Sequence, residues 1–345
     1  MAAAPPPSLQ PQRQPPPPPP SVDLAIRDDI EFCHPGYAAP TNILLSLPRV
    51  DLGSAAEATV FGVHHRTALV ACQIIAGNAF ETGRLTTDRE GRQQVGVPLD
   101  GILIGAKYYF IIDGVNQYPI VPSFQDWEFP HGRIPDFWPE LPIPVNPTSR
   151  CAITNVSFAV KRAHLVPREE GLWYNRNGMT KYGSGLGDID NAANILPLRR
   201  DLHKCFDDRW FAVVPETPEV ATTARVTTHS AAQYLTHILS KDAAELWPEY
   251  HHTIVQSLHG GSRPYLFARF AWAVLLKVKP FVTAGWPRHV IRVHISNGQS
   301  EVEYRADHLN GPQLQDLYGG GESKAATPRK RKFDPGSRIV TFGIK

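Results

Sequence analysis

The sequence is poor in cysteine, with four, at Cys33, Cys72, Cys151 and Cys205, and no two of them form a C-x-x-C pair. That spacing excludes a small disulfide-stapled scaffold, and the four are expected to be reduced thiols of an intracellular protein. Long apolar runs are missing too. The two best, Ile102 to Ile112 and Phe270 to Val278, carry Lys107 and Lys277 and fall short of a bilayer span, so no membrane partner is expected. The first residues show no basic segment followed by an apolar one, so no signal peptide is expected. Net charge is only +2, so the chain as a whole is no electrostatic lure for a polyanion. Binding to nucleic acid would have to come from local clustering. No internal repeat is present.

What is there is enough for more than one small core: 345 residues, 42% of them hydrophobic. Of the 33 prolines ten lie within the first twenty residues. Residues 1–22 therefore read as a disordered proline-rich arm, with an SH3- or WW-type protein as a partner it could dock. Residues 23–147 alternate in short β-branched runs broken by turn residues: Ile43 to Leu47, Ala58 to Val63, Leu69 to Ile75, Ile102 to Ile104, Tyr108 to Ile112 and Tyr118 to Val121. They predict a β-rich module, with turns at Gly53, Gly62, Gly77-Asn78 and Asp113-Gly114. Its histidines, His34, His64 and His65, have no ligand partner at helical or strand spacing. The proline-dense stretch from Pro130 to Pro147 reads as a linker.

After Pro215 helix formers take over, and residues 216–310 read as a helical extension. Helices are expected over Ser230 to Ser240, Asp242 to Leu258 (interrupted at Pro248) and Pro264 to Lys277, the last with Leu266, Phe267, Phe270, Ala271, Val274 and Leu275 on one face. Val290 to Ile295 alternates like one further strand. Adjacent His251 and His252 would point to different faces of a helix and so form no ligand pair. From Gly311 to 345 the composition predicts a disordered tail. Its run Pro328-Arg329-Lys330-Arg331-Lys332 is a candidate nuclear-import signal.

The chemistry concentrates between Arg150 and Pro215. A strand-like run closes on His164, Asn194 opens an apolar turn, and His203 and Asp207 stand four apart on a helical pattern, hence on one face. A neutral imidazole suits proton abstraction near pH 7, and an imidazole with a carboxylate suits a borderline divalent ion, with Mg²⁺, Mn²⁺ and Zn²⁺ all open. Lys161, Arg162, Arg168, Arg176, Lys181, Arg199, Arg200, Lys204 and Arg209 cluster in the same stretch, as phosphate contacts require. Arg162, Arg168, Arg199, Arg200 and Lys204 are the nearest candidates for nucleic-acid binding. Trp173 and Tyr174 lie in the intervening loop, with base stacking open to them and core packing the default for Trp173. Gly183-Ser184-Gly185-Leu186-Gly187 is no phosphate loop, because no strand leads into it and no Lys-Ser/Thr helix follows.

In its His, Asn, His order, and in the nine residues between Asn194 and His203, this stretch resembles an HNH nuclease core, in the form found among fungal HNH-domain proteins. The resemblance implies two antiparallel strands and a helix around one divalent metal. It implies His164 as general base, Asn194 as the residue bracing the loop that carries the base, and His203 as a metal ligand, with Asp207 where some members place a second helical histidine. Two departures stand out. Ala163 occupies the position where many members carry a ligand, so Asp207, Asp188, Asp190 or water must complete coordination. Cys151-Ala152-Ile153-Thr154 keeps one cysteine of the usual paired C-x-x-C motifs, so no structural zinc is expected. The expectation is thus an α+β protein: a β-rich module, then a ββα-metal core over residues 148–215, then the helical extension. Its function would be metal-dependent cleavage of nucleic acid, DNA foremost; the alternative is an inactive HNH-fold module that binds DNA or a protein.

Overall fold

A computed structural model describes residues 23–54, 59–141, 149–183, 188–217, 232–256, 258–295 and 302–320. The proline-rich arm, the glycine run 184–187 and the basic run Pro328 to Lys332 lie outside them. Helix and strand mix throughout, as an α+β chain requires.

The first strands are β1 (Ile30–Cys33), β2 (Ile43–Leu47), β3 (Asp51–Ser54) and β4 (Thr59–His64). Helix α1 (His65–Ile75) follows without a break, then β5 (Gly83–Thr86), β6 (Ile102–Leu103) and β7 (Lys107–Ile112). Two sheets result, ordered β2-β1-β7-β5 and β3-β4-β6. Strands β1 and β7 run parallel, and Glu31 pairs with Lys107 across them at 3.1 Å. The expected strand Leu69 to Ile75 is instead part of α1. Its Val70, Ala71, Cys72, Ile74 and Ile75 are all buried, and a run buried on every side has no period to distinguish helix from strand. Nor does Tyr118 to Val121 form a ladder; it offers one parallel bridge, Ile120 to Val290. Gly77, Asn78 and Gly114 take positive φ at turns, as expected, whereas Gly53 and Gly62 lie inside strands. A Cβ on Gly62 would come within 2.1 Å of the Leu103 carbonyl oxygen, so this glycine serves the close approach of β4 to β6.

The central segment gives β8 (Val160–His164), α2 (Gly171–Arg176), β9 (Ile195–Arg199), α3 (Arg200–Asp207) and β10 (Phe211–Glu216). Strands β8 and β9 pair antiparallel from Val160 opposite Arg199 to His164 opposite Ile195, and α3 packs on both. Phe129 and the linker's Ile134 and Trp138 are buried in the core, and Trp127 stacks on Trp173 at 5.6 Å. Trp173 and Tyr174 are both buried, so neither ring is presented to a base.

The rest is less helical than its composition. Residues Gln233–Ile238 form β11, paired along its whole length with β10, so tertiary pairing overrides the helical preference of this stretch. Among the described residues from Lys241 to Leu258, the helical elements are a 3₁₀ turn, Lys241–Ala243, and the one-turn helix α4 (Trp247–Tyr250). Ser240 caps the 3₁₀ turn, its side chain accepting the Asp242 N–H, and Pro248 sits in the first turn of α4, where a missing N–H costs nothing. Helix α5 (Arg263–Lys277) falls where predicted but is buried from Pro264 to Leu275, on all sides rather than one. It is followed by α6 (Lys279–Val282) and the hairpin of β12 (Arg288–Ile295) and β13 (Val302–Leu309). Order does not fade at Gly311: α7 (Gly311–Tyr318) starts on a capping box between Asn310 and Gln313, buries Leu314 and bonds the Tyr318 hydroxyl to Asp126. No helix among the described residues is long and apolar enough to cross a membrane.

Candidate active site

His164 ends β8 because Pro167, three residues on, cannot continue the ladder. Its backbone lies opposite Ile195, and its ring is held from the loop before β9: Nε2 meets Asp190 Oδ1 at 2.7 Å. Asp190 also receives Arg168 through Nε and Nη2, both at 2.7 Å. These bonds, Arg168 first and His164 second, hold the Asp190 carboxyl below its ordinary range. A carboxylate there accepts the Nε2 proton, which leaves Nδ1 as the lone-pair nitrogen of the neutral ring.

Asn194 is fully buried and reaches neither ring nor cleft. Its Oδ1 accepts the Val166 N–H at 2.7 Å, and its Nδ2 donates to the carbonyls of Val166, at 3.1 Å, and Ile189, at 2.7 Å. One amide therefore fastens the segment after His164 to the segment that carries Asp190. Asn191 caps the turn, accepting the Asn194 N–H at 3.2 Å.

His203 and Asp207 do share a face of α3, with Nε2 and Oδ2 at 3.3 Å. Two donors each about 2.1 Å from one divalent ion stand roughly 3 Å apart, so this pair fits the metal that the sequence leads one to expect. Burial lowers the His203 pKa, against the pull of Asp207, and so favours the neutral ring that can ligate. Asp190 is committed to His164 and Arg168, Asp188 Oδ1 accepts the Asp190 N–H at 3.0 Å, and neither residue is among those lining the cleft beside His203 and Asp207.

The two halves meet in an open cleft of about 530 Å³ lined by His164, His203 and Asp207 together with Arg168, Lys204 and Arg209. Of the five cations expected at nucleic acid, Arg168 and Lys204 line it. Arg162 and Arg200 are exposed outside that lining, and Arg199 is held by Asp201, at 2.6 Å, and Tyr250. Glu169 and Asp208 also face the cleft, and Lys204 pairs with Asp208, so its field is mixed in sign.

Arg269, on α5, was not singled out from the sequence. Only 1% exposed, it lies 3.7 Å over the Phe206 ring, donates to the Phe206 carbonyl near the end of α3, and reaches the His164 and Leu165 carbonyls at 3.5 Å. Burial brings its pKa down to about 9. It ties the end of β8 to the end of α3, and the signal for it was an arginine amid the apolar run Leu266 to Leu275. Cys151, with Ala152 and Ile153, is buried in the core, and Ala152 donates its N–H to the Pro197 carbonyl in β9.

Residues 151–214 match the family model described as HNH endonuclease, a span that holds both strands, the helix and each of the residues His164, Asn194, His203 and Asp207. No curated protein and no solved structure matches the chain.

Proposed function

We propose that the protein is a metal-dependent HNH endonuclease that hydrolyses phosphodiester bonds of nucleic acid, with DNA as the foremost substrate. The observation that carries this reading is the convergence of His164 with His203 and Asp207 on one open cleft. His164 takes a proton from the attacking water at Nδ1, and Asp190, hydrogen-bonded at Nε2, stabilises the imidazolium that forms. Arg168, Lys204 and Arg209 line the approach of the phosphate. Asn194 and Arg269 are positioning residues: they set the base against the α3 face without touching substrate.

His203 and Asp207 would hold one divalent ion, which when bound offsets charge on the phosphate and the departing 3′ oxygen. Mg²⁺, Mn²⁺ and Zn²⁺ all suit the two donors. The test is nicking of supercoiled plasmid by the purified chain with each of these ions or with EDTA, beside His164→Ala and His203→Ala. Nicking that needs the metal and falls roughly 10²- to 10⁴-fold in His164→Ala is the expected result. Absence of cleavage with every metal, and salt-sensitive DNA binding unchanged in both variants, would instead establish an inactive DNA-binding module.

A further inference from the structure

A second concentration of imidazoles and carboxylates lies outside the cleft, drawn from four separate stretches of chain. Asp51 opens β3, Glu216 closes β10, His237 lies in β11, and His251 and His252 follow α4. Their adjacency in sequence does not send the last two apart, because they stand in a turn rather than a helix. His252 takes a φ of 58°, a left-handed conformation uncommon for histidine, and the two rings stack at 3.9 Å. Both Nε2 atoms then reach Asp51 Oδ1, at 2.8 Å and 2.9 Å.

Carboxylates and imidazoles alternate around this cluster, Glu216 taking part through both of its oxygens. Asp51 Oδ1 is 2.9 Å from His252 Nε2, which is 2.9 Å from Glu216 Oε2; Glu216 Oε1 is 2.8 Å from His237 Nδ1, which is 4.0 Å from Asp51 Oδ1. Donors at tetrahedral corners about 2.0–2.1 Å from a zinc ion stand roughly 3.3 Å apart, close to the middle of that range. Asp51 and His237 are buried, Glu216 nearly so, and the half-exposed His252 is the opening to solvent. Asp51, His237, His251 and His252 each bring a donor atom to within 4.8 Å of the others, and Glu216 faces His237 and His252. Two carboxylates taken out of water need two positive charges close by, and one divalent ion among these donors would supply both.

The surroundings hold these donors in place. Asp51 Oδ2 accepts the His64 backbone N–H at 2.6 Å, and Thr67 Oγ1 links His64 Nδ1, at 2.9 Å, to Glu216, at 3.5 Å. His251 Nδ1 accepts the Ile238 N–H at 3.3 Å, so its Nε2 carries the proton and donates to Asp51 instead of ligating. Hydrogen bonds of this kind orient the ligands of a metal centre.

We propose that Asp51, Glu216, His237 and His252 form a binding site for a borderline divalent cation of the zinc class, separate from the nuclease cleft, with His251 as an outer partner of Asp51. The ion would clamp β3, β10, β11 and the turn after α4 together. The sequence led us to expect no structural zinc, since the cysteine pairs are missing. These ligands are spread over more than 200 positions and leave no spacing to read.

The experiment uses the full chain carrying His203→Ala and Asp207→Ala, so that the cleft pair is removed, with zinc alone as the probe. Stripped protein should take up one equivalent of zinc, rise in melting temperature on binding it, and give the visible spectrum of a four-coordinate ion when cobalt replaces zinc. Adding His252→Ala, a half-exposed position where folding is little at risk, should abolish that equivalent and the rise. Adding His251→Ala should keep one equivalent and weaken its affinity about 10- to 100-fold. If the cleft-disabled chain takes up no zinc, or if His252→Ala leaves uptake and melting shift unchanged, the proposal falls and the cluster is a network of ion pairs between protonated histidines and the two carboxylates.

Discussion

Replacing Asn194 by alanine removes three hydrogen bonds from a fully buried position: one accepted from the Val166 N–H and two donated, to the Val166 and Ile189 carbonyls. Each buried partner left without its bond costs about 1–3 kcal/mol. Carbonyls have a second lone pair and tolerate the loss better than the Val166 N–H does, so the sum is expected near the low end, at about 3 kcal/mol. With a urea slope of about 3 kcal/mol per molar, that moves the unfolding midpoint down by roughly 1 M. Asn194→Asp keeps the acceptor for Val166 but turns an oxygen toward two carbonyl oxygens, so at pH 7 it is expected to cost at least as much as alanine. The segment that loses its fastening carries Asp190, which orients His164, and a misplacement of about 1 Å at a catalytic group costs on the order of 100-fold in rate. In plasmid nicking kcat should therefore fall by that order while KM stays within a few-fold. A midpoint shift below about 0.2 M would refute the bracing argument. So would a full loss of stability with kcat unchanged, since Asn194 would then be a packing residue alone.

Three further outcomes follow from the geometry. Trp173→Phe forfeits the bond from Nε1 to the Trp127 carbonyl at 2.7 Å and part of a buried ring, and should cost about 1–3 kcal/mol in urea melts with DNA affinity unchanged; weaker DNA binding at full stability would put this ring at the substrate after all. Asp190→Asn keeps an acceptor for His164 but loses the charge facing its imidazolium, so kcat should fall about tenfold or more with zinc or magnesium affinity unaltered; an unchanged kcat would free Asp190 from the mechanism. Glu170 is buried against Trp272 and Gln125, with Glu169 and the Arg176 and Arg209 side chains acting on it, and desolvation raises its pKa above 4.5 despite the hydrogen bonds from Trp272 and Gln125. A carboxyl whose folded pKa is raised stabilises the fold below the unfolded value, pH 4.5, and loses that contribution as pH rises through the folded one. Glu170→Gln should accordingly raise the urea midpoint at pH 8 by more than at pH 5, and an equal change at both would contradict the assignment.

The parts of the fold legible in the sequence are those whose partners lie close in the chain. β8, β9 and α3 fall within residues 160–207, and their order, the proline after His164 and the four-residue step from His203 to Asp207 all express contacts made inside that span. β11 was misread because what makes it a strand is β10, across a stretch of chain that separates Glu216 from Gln233, and nothing within Tyr234 to Ile238 records that pairing. α1 was misread for another reason: it is buried on every side, so the apolar period that separates helix from strand is erased. α7 was within reach, since Asn310 and Gln313 are a capping box in plain sequence, hidden by the glycines that follow.

The candidate site divides along the same line. The base, the brace and the α3 pair come from one continuous stretch: the chemistry asks for an imidazole at a strand end and for two ligands four apart on a helix, and the resemblance to an HNH core supplied the role of Asn194. Asp190 was named for a different task, as a metal ligand, because sequence order says that a carboxylate is near but not which nitrogen it faces. Arg269 shows the limit of the method from the other side. Its guanidinium is placed 105 residues after His164 and 63 after Phe206, yet it reaches the carbonyls of both. What the sequence does display is an unsheltered charge within a helix that otherwise buries apolar side chains from Leu266 to Leu275, and a charge in such a place needs partners that the helix cannot supply itself. The same reasoning applied to Asp51, an acidic residue with no exposure at all, leads to the histidines that surround it. A buried charge is thus a pointer to a long-range contact even when no motif accompanies it, and Arg269 and Asp51 each mark a place where separate stretches of this chain are drawn together.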